Sequence, residues 1–103
     1  MKKHVGVAVL GLGWMGQAHS RSMLRIPSLF LERSVDPRLV VCADTEESRR
    51  ARAVEDFGFE RSVENWEEAV SADDVDAVWV TAPNMLHIPM IEAATAAGKA
   101  VFS

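Results

Sequence analysis

Short apolar segments alternate with longer segments of helical periodicity along the whole chain. The first apolar segment, residues 5–10, is rich in valine and ends at a glycine, which is typical of a strand buried on both faces. The pattern predicts strands at 5–10, 39–43, 59–62, 75–82 and 100–102, with helices at 14–25, 45–57, 65–70 and 85–97. Such alternation implies right-handed crossovers and a parallel sheet. We therefore expect an α/β fold of three α/β/α layers, with a doubly wound parallel sheet in the strand order 3-2-1-4-5.

Prolines, glycines and capping residues determine where the helices should end. Pro27 should stop the first helix and begin a loop over residues 27–37, because proline lacks the amide donor that a helix interior needs. Thr45 is the expected N-cap of the second helix. Gly58 and Gly98 should close the second and fourth helices, since glycine readily adopts the left-handed conformation that follows a helix.

Length and charge limit the classes of partner. The 103 residues suffice for one domain, expected to span 1–103, and are too few for two. Eleven basic and 15 acidic residues give a formal charge of −4, so the chain lacks the basic surface that nucleic acid requires. No apolar run reaches the roughly 18 residues that a membrane span needs. We expect a small-molecule partner rather than nucleic acid or membrane.

The single cysteine, Cys42, lies in the apolar segment of the second strand. One cysteine excludes an internal disulfide and fits the reducing environment of the cytoplasm, where we expect the protein to reside. Its apolar surroundings predict an inert buried thiol rather than a nucleophile. No metal site is expected.

Three glycines directly follow the first strand. Gly11, Gly13 and Gly16 have the spacing G-x-G-x-x-G between a strand and a helix, which is the context that a dinucleotide-binding turn requires. The first permits a tight turn, the second leaves room for a pyrophosphate, and the third lets the helix pack close to the strand. The free amides at the start of the helix favour a diphosphate. Trp14 and Met15 lie inside this turn, where Trp14 either lines the nicotinamide side of a pocket or packs at the helix start.

Asp44 follows the second strand. Its carboxylate can accept hydrogen bonds from the adenosine ribose, although a simple turn or cap residue would occupy the same place. Facing the ribose, it would repel the 2′-phosphate of NADP by roughly 4 kcal/mol at about 4 Å and an effective dielectric of about 20. Arg49 and Arg50 could offset that repulsion, but the glutamates one helical turn before them favour surface ion pairs. The sequence therefore favours NAD over NADP.

The loop after the fourth strand reads T-A-P-N-M-L-H over residues 81–87. It leaves the carboxyl end of a strand expected beside the first, at the switch point where ligands bind in such sheets. Taken alone, Asn84 would be a helix cap and His87 a structural residue at a helix start.

Together these segments resemble one family. The glycine turn with His19 beyond it, the Cys-Ala-Asp end of the second strand, the 81–87 loop and the closing Gly-Lys-Ala-Val-Phe-Ser resemble the N-terminal Rossmann-type domain of the glucose-fructose oxidoreductase/inositol dehydrogenase/rhizopine catabolism (Gfo/Idh/MocA) family. The resemblance covers essentially the whole chain. It implies that Pro83, Asn84 and His87 lie near the ribose and nicotinamide end of the cofactor, and we expect Thr81 to join them. It also implies oxidation or reduction of a hydroxyl or carbonyl on a sugar, cyclitol or related metabolite.

The same resemblance implies that the catalytic machinery is incomplete here. In this family the fifth strand leads into a Glu-Lys-Pro motif whose lysine assists proton transfer, and a second domain holds the substrate and often forms the oligomer. That lysine would lie beyond Ser103, so the chain holds no expected catalytic residue, with His87 as the one candidate. Lys99 precedes the fifth strand and is expected to be a solvated turn residue. We expect a piece of a longer, homo-oligomeric enzyme that is inactive by itself.

Two other interpretations stay open. A non-catalytic sensor or regulatory module would keep the glycine turn and dispense with the lysine. A related domain could bind another adenosine ligand such as S-adenosylmethionine, although the 81–87 loop argues against it. His19 is expected to contact a neighbouring loop rather than to act in catalysis. The fifth strand lacks a following neighbour, which predicts that the chain self-associates or is marginally stable.

Overall fold

The computed structural model describes residues 3–29 and 35–103. Its strands are β1 (Lys3–Leu10), β2 (Val35–Ala43), β3 (Arg61–Val63), β4 (Ala77–Val80) and β5 (Ala100–Phe102). Its helices are α1 (Trp14–Leu29), α2 (Glu47–Phe57), α3 (Trp66–Val70) and α4 (Asn84–Ala96). All neighbouring strands pair in parallel, in the order β3-β2-β1-β4-β5. The predicted sheet order is confirmed.

Helices cover both faces of the sheet, so the predicted three layers are also confirmed. The face covered by α1 and α2 carries one apolar cluster, made of Val7, Val9, Leu12, Met23, Leu39, Cys42, Ala53 and Phe59. The opposite cluster packs against α3 and α4 and includes Ala8, Leu10, Val41, Val78, Val80, Met90 and Ala94. Successive residues of β1 alternate between the two clusters, because side chains of a strand point to opposite faces. This double burial explains why β1 is apolar along its whole second half.

An extra residue interrupts the pairing of β1 with β2. Val7 pairs with Leu39 and Ala8 pairs with Val41, so Val40 has no partner in the register. Val40 and Val41 consequently both face the α3–α4 cluster. The bulge shifts the alternation of the following residues by one position. Cys42 therefore faces the α1–α2 cluster and Ala43 the opposite one.

Two predicted boundaries around the first crossover are wrong. Helix α1 continues through Pro27 to Leu29, so the proline lies in the last turn and the helix ends two residues after it. Strand β2 begins at Val35, and Pro37 lies inside it opposite Val5. The predicted loop 27–37 therefore shortens from both sides, and its residues 30–34 lie outside the described residues.

The predicted cap of α2 is wrong as well. Glu46 occupies the N-cap position without a side-chain cap, and the amide of Glu46 donates instead to Oδ1 of Asp44 at 2.9 Å. Asp44 thus forms a local turn through its side chain, and the helix begins one residue later than a Thr45 cap would set it. Gly58, with φ 76°, closes α2 as predicted, and Gly98, with φ 77°, follows α4.

The remaining elements differ from expectation by a few residues. Strand β3 is shifted to Arg61–Val63, β4 is confined to Ala77–Val80, and α4 begins at Asn84. Strand β5 forms the edge of the sheet, where Phe102 is 48% exposed and stacks on Trp79 with ring centroids 4.3 Å apart. Self-association through this edge stays a prediction. Within residues 3–29 and 35–103, no helix is long and apolar enough to cross a membrane.

Candidate functional site

The turn between β1 and α1 depends on two of its three glycines for its shape. Gly11 has φ 95°, and a Cβ there would lie 2.7 Å from the backbone of Ala82. A Cβ on Gly16 would lie 2.0 Å from the carbonyl oxygen of Gly11. Gly13 differs, because a Cβ there would have no atom within 4 Å. Gly11 and Gly16 thus serve the fold, whereas Gly13 faces open space where a ligand can approach.

The start of α1 offers unpaired amides beside that open space. The carbonyl of Gly13 accepts the amide of Gln17 at 3.1 Å and so begins the helix. The amides of Trp14, Met15 and Gly16 find no acceptor among the residues that the structure describes. Unpaired amides and the positive end of the helix dipole favour an anion at this place.

Asp44 reaches back from the end of β2 to the glycine turn. Its Oδ2 accepts the amide of Leu12 at 2.9 Å, while Oδ1 accepts the amide of Glu46 at the same distance. The side chain is only 8% exposed, so these amides hold it in a fixed position. An ionised carboxylate offers about four acceptor positions, so capacity for a ribose diol remains. The interpretation of Asp44 as a cap alone is too narrow, because the carboxylate joins the glycine turn to α2.

The two arginines that follow Asp44 do different things. Arg49 pairs with Glu46 at 3.1 Å, as predicted, and its guanidinium also lies 3.7 Å from Oδ2 of Asp44. Arg50 makes no predicted pair with a glutamate; its Nη1 donates to the backbone oxygen of Asp44 at 2.8 Å. The sequence spacing anticipated the helical pair but not the contacts with the end of β2.

The 81–87 loop meets the glycine turn because β4 pairs directly with β1. Leu10 is the register partner of Val80, and the hydroxyl of Thr81 donates to the carbonyls of Gly11 at 2.8 Å and Leu10 at 3.1 Å. Thr81 therefore fixes the loop to the turn through backbone oxygens. The predicted juxtaposition of the turn, Asp44 and the loop is found in the structure.

The remaining residues of the loop begin α4. Pro83 takes the N-cap position and Asn84 is the first helical residue, so the interpretation of Asn84 as a cap is wrong. Nε2 of His87 lies 2.6 Å from the carbonyl oxygen of Ala82. That carbonyl can only accept, so Nε2 carries the proton and the ring braces the loop.

A cleft of about 160 Å³ opens between the ends of β1, β2 and β4. Gly11, Asp44, Arg49 and Pro83 line it. Further lining residues, which the sequence did not single out for a cofactor, include Thr45, Glu64, Trp66, Leu86 and Met90. Trp66 begins α3 and Met90 lies in the second turn of α4, so only the layer arrangement brings them together. An apolar wall opposite polar groups is typical of a small-molecule site.

Apolar side chains project from the helix starts around this cleft. Trp14 is 79% exposed, which contradicts the interpretation that it packs at the start of α1. Met15 is 49% exposed and Met85 84%, both next to cleft-lining segments. Single exposed apolar residues are common, but three large ones at the starts of α1 and α4 favour a contact surface at this end of the sheet.

Other chemically interesting side chains serve the fold. Burial raises the pKa of the Cys42 thiol to about 12, which confirms the predicted inert cysteine. Lys99 is half-buried and donates to the carbonyls of Ala72 at 2.8 Å and Val75 at 2.6 Å, so the prediction of a solvated turn residue is wrong. His19 is half-buried on α1. No group of three or more metal-ligating side chains is assembled in the described part of the chain.

These features fit a bound dinucleotide. Gly13 leaves open space beside the unpaired amides of α1, as a diphosphate needs. The Asp44 carboxylate at the end of β2 offers the acceptors that a ribose diol needs. An apolar cleft wall lies next to both.

Comparison with known proteins identifies the same fold. The model of the Gfo/Idh/MocA oxidoreductase family with an NAD-binding Rossmann fold matches residues 5–103. Levoglucosan dehydrogenase of Pseudarthrobacter phenanthrenivorans is 33% identical over 97 residues, which are 94% of this chain and 25% of that protein. An inositol 2-dehydrogenase of Corynebacterium glutamicum is 31% identical over 99 residues, 95% of this chain and 27% of the relative. The structure of a levoglucosan dehydrogenase in complex with NADH superposes with a TM-score of 0.90 at 32% identity, covering 96% of this chain and 27% of that one.

The chain spans about a quarter of the length of these relatives. The match nevertheless runs from β1 to the last residue, through the glycine turn, Asp44 and the 81–87 loop. The resemblance seen in the sequence motifs is thereby confirmed. The chain belongs to the Gfo/Idh/MocA oxidoreductase family and forms its NAD-binding Rossmann domain.

Proposed function

We propose that this domain binds NAD across the glycine turn and Asp44, as part of a dehydrogenase acting on a hydroxyl or carbonyl of a sugar, cyclitol or related metabolite. The observation that carries the proposal is the hydrogen bond from the Leu12 amide to Asp44, 2.9 Å long. It joins the two segments that must contact neighbouring parts of one dinucleotide, the diphosphate and the adenosine ribose.

Each part of the site has a separate task. The first amides of α1 hold the diphosphate, and Gly13 lets it approach the backbone. Asp44 orients the adenosine ribose, and Thr81 keeps the loop with Pro83, Asn84 and His87 against the turn. NAD, when bound, supplies hydride transfer, and the protein contributes binding and orientation.

The substrate class rests on the relatives. Those most similar to the chain include proteins named levoglucosan dehydrogenase and inositol 2-dehydrogenase, both acting on polyhydroxylated rings. Exposed Trp14, Met15 and Met85 lie at the starts of α1 and α4 and offer an apolar surface for the nicotinamide. We propose further that the protein is a homo-oligomer in the cytoplasm.

Asp44 makes NAD the preferred cofactor. A carboxylate fixed by two amides accepts hydrogen bonds from both ribose hydroxyls but repels a phosphate on the 2′ oxygen. At about 4 Å and an effective dielectric of about 20, each like-charge pair costs roughly 4 kcal/mol before screening.

The test is titration of the chain with NADH and NADPH, exciting tryptophan and recording nicotinamide emission. Trp14 and Trp66 both lie at or beside the proposed site, so bound NADH should accept their excitation energy. Asp44→Ala should weaken NADH binding about tenfold, the loss of about 1.4 kcal/mol from charge-assisted hydrogen bonds. Asp56→Ala is the matched control, because it removes an exposed carboxylate of the adjacent helix α2 that pairs with Arg52 rather than with the glycine turn.

Energy transfer with NADH that Asp44→Ala weakens and Asp56→Ala leaves unchanged would support the site. Absence of transfer from either nucleotide, on a chain shown by circular dichroism to be folded, would contradict binding by this domain. Equal affinity for NADH and NADPH would contradict the assigned role of Asp44 while leaving the glycine turn in place.

A further inference from the structure

Arg49 places a positive charge directly beside the carboxylate that is proposed to select the cofactor. Its guanidinium lies 3.7 Å from Oδ2 of Asp44 and 3.1 Å from Oε2 of Glu46. The side chain is 47% exposed and lines the same cleft as Asp44 and Thr45. Two carboxylates therefore hold this cation at the cleft wall.

The other arginines of α2 have different partners. Arg50 donates to the backbone oxygen of Asp44, a contact that any residue at position 44 would preserve. Arg52 pairs with Asp56 on the exposed side of the helix at 3.6 Å. Among the three arginines of α2, Arg49 is the one whose ion-pair partner is the Asp44 side chain.

We propose that Arg49 is a second determinant of cofactor choice. Its guanidinium could bind a 2′-phosphate, but the ion pairs with Asp44 and Glu46 neutralise its charge. The inference rests on the proposed role of Asp44 at the adenosine ribose. A phosphate on the 2′ oxygen would occupy the space around the Asp44 carboxylate, because that carboxylate faces the same oxygen in NAD. A guanidinium already 3.7 Å from Oδ2 is within reach of phosphate oxygens at that place.

The arrangement makes the two side chains act on each other. When Asp44 is charged, its carboxylate repels the phosphate and also neutralises Arg49 by ion pairing. Neutralising Asp44 removes both effects at once, so the gain in 2′-phosphate affinity should depend on Arg49. Glu46 is a weaker restraint because its pair with Arg49 is exposed.

A double-mutant cycle on the 103-residue chain tests this coupling. The variants are Asp44→Asn, Arg49→Gln and the double variant, with Asp44→Asn/Arg52→Gln as the matched control. Asparagine keeps an acceptor oxygen for the Leu12 amide while losing the charge. The probes are adenosine 2′,5′-bisphosphate and ADP, titrated by calorimetry in low salt, because they differ in the position of one phosphate and need no nicotinamide pocket.

Asp44→Asn should raise the affinity for the 2′,5′-bisphosphate about tenfold or more, and Arg49→Gln in that background should abolish the gain. Arg52→Gln should leave it intact. Affinity for ADP should change less than about twofold when Arg49 is replaced, since ADP carries no 2′-phosphate. A gain that survives Arg49→Gln would overturn the proposal, and so would equal losses for both probes.

A second measurement keeps the test decisive if Asp44→Asn unfolds the chain. Asp44→Ser, whose hydroxyl oxygen can still accept the Leu12 amide, should then raise the affinity for the 2′,5′-bisphosphate, and Arg49→Gln in that background should abolish the gain and leave ADP unaffected. An unchanged ratio of the two affinities would refute the role of Arg49. Normal binding of NADH together with such a result would leave the proposed function standing, whereas absence of binding by NADH and both probes would overturn both proposals.

Discussion

The two ends of the sheet differ in how their polar groups are paired. At the amino ends of the strands, Lys99 donates to two carbonyls of the segment before β4, and Asp76 accepts the amide of Gly6 at 2.8 Å. Bidentate ion pairs join Arg38 to Glu60 and Arg61 to Asp74. Polar groups at this end bind one another.

At the carboxyl ends the pairing is incomplete. The first amides of α1 have no acceptor in the described part of the chain, Gly13 faces open space, and Trp14 is exposed. The contrast indicates a division of labour in which the amino ends stabilise the domain and the carboxyl ends receive a ligand. Substitutions at the two ends should accordingly separate stability from binding.

Alanine substitutions of Gly6 in β1 and of Gly13 in the following turn should give the largest separation of stability from binding. A Cβ on Gly6 would lie 1.9 Å from the carbonyl oxygen of Asp74, a backbone atom that cannot move aside without disturbing β4. Gly6→Ala should therefore lower the free energy of unfolding by about 3 kcal/mol. Gly13→Ala meets no atom within 4 Å and should change it by less than about 1 kcal/mol, while weakening NADH binding about tenfold.

Urea unfolding and NADH titration of both variants measure this contrast. Loss of stability in Gly13→Ala, or loss of NADH affinity in a folded Gly6→Ala chain, would break the division between the two ends. Gly16→Ala is expected to lose both properties, because its Cβ would lie 2.0 Å from the Gly11 carbonyl oxygen at the base of the turn.

Lys99→Met should give the next largest effect, and on stability alone. The substitution keeps the apolar stem but removes hydrogen bonds to the carbonyls of Ala72 and Val75, which β5 and the α3–β4 connection depend on. We expect the free energy of unfolding to fall by about 1–3 kcal/mol. Thermal and urea unfolding measure it, with Arg52→Gln as a control for loss of an exposed cation. Unchanged stability would mean that Lys99 is the solvated residue that its sequence position first indicated.

The smallest effect concerns the ion pairs at the amino ends. Hydrogen bonds from Arg61 lower the pKa of Asp74 below its ordinary value of 3.8, and those from Arg38 lower the pKa of Glu60 below 4.5. A carboxylate with a depressed folded-state pKa stabilises the fold above its ordinary pKa and loses that contribution as the pH falls through the folded value. Stability should thus decline between about pH 5 and pH 2.

Arg61→Gln should flatten part of that decline, because Asp74 would then titrate nearer its ordinary value. The contribution is below about 1 kcal/mol, since the side chains of both partners are 42% exposed and screened by water. Urea unfolding at pH 7 and pH 3 compares the two chains. A steeper pH dependence in Arg61→Gln would contradict the assignment, and NADH affinity at pH 7 should be the same in both.

Patterns within single segments were readable because each depends on local chemistry. The apolar run at 5–10, the glycine spacing and the left-handed Gly58 predicted β1, the turn and the end of α2. Element ends were read less well where tertiary contacts compete with local preference. Pro27 did not stop α1, and Glu46 rather than Thr45 occupies the N-cap position of α2.

Among the proposed site residues, the sequence indicated those that belong to a recognisable motif or follow a strand, and it gave little indication of the others. Asp44 and Thr81 were identified because the carboxyl ends of parallel strands meet at one edge. Trp66 and Met90 belong to no motif, and the contact of Arg49 with Asp44 depends on how α2 follows β2. Of these residues, only Arg49 could have been anticipated from the sequence. It follows Asp44 by five residues, a separation that a bend and the first turn of α2 can bring into contact.

The sequence by itself determined the α/β alternation, the order of the strands and the place of the ligand-binding turn. Hydrophobic periodicity and glycine geometry act over a few residues, and the strand order follows from the doubly wound fold that the alternation indicates. Only the tertiary structure decided that Val40 bulges, that Lys99 is a structural donor, and that Arg49 stands beside the Asp44 carboxylate. Those outcomes depend on which groups from distant segments come within a few ångströms of one another. Several partners were compatible with the sequence for each polar group, and the packing of the elements decides which of them it contacts.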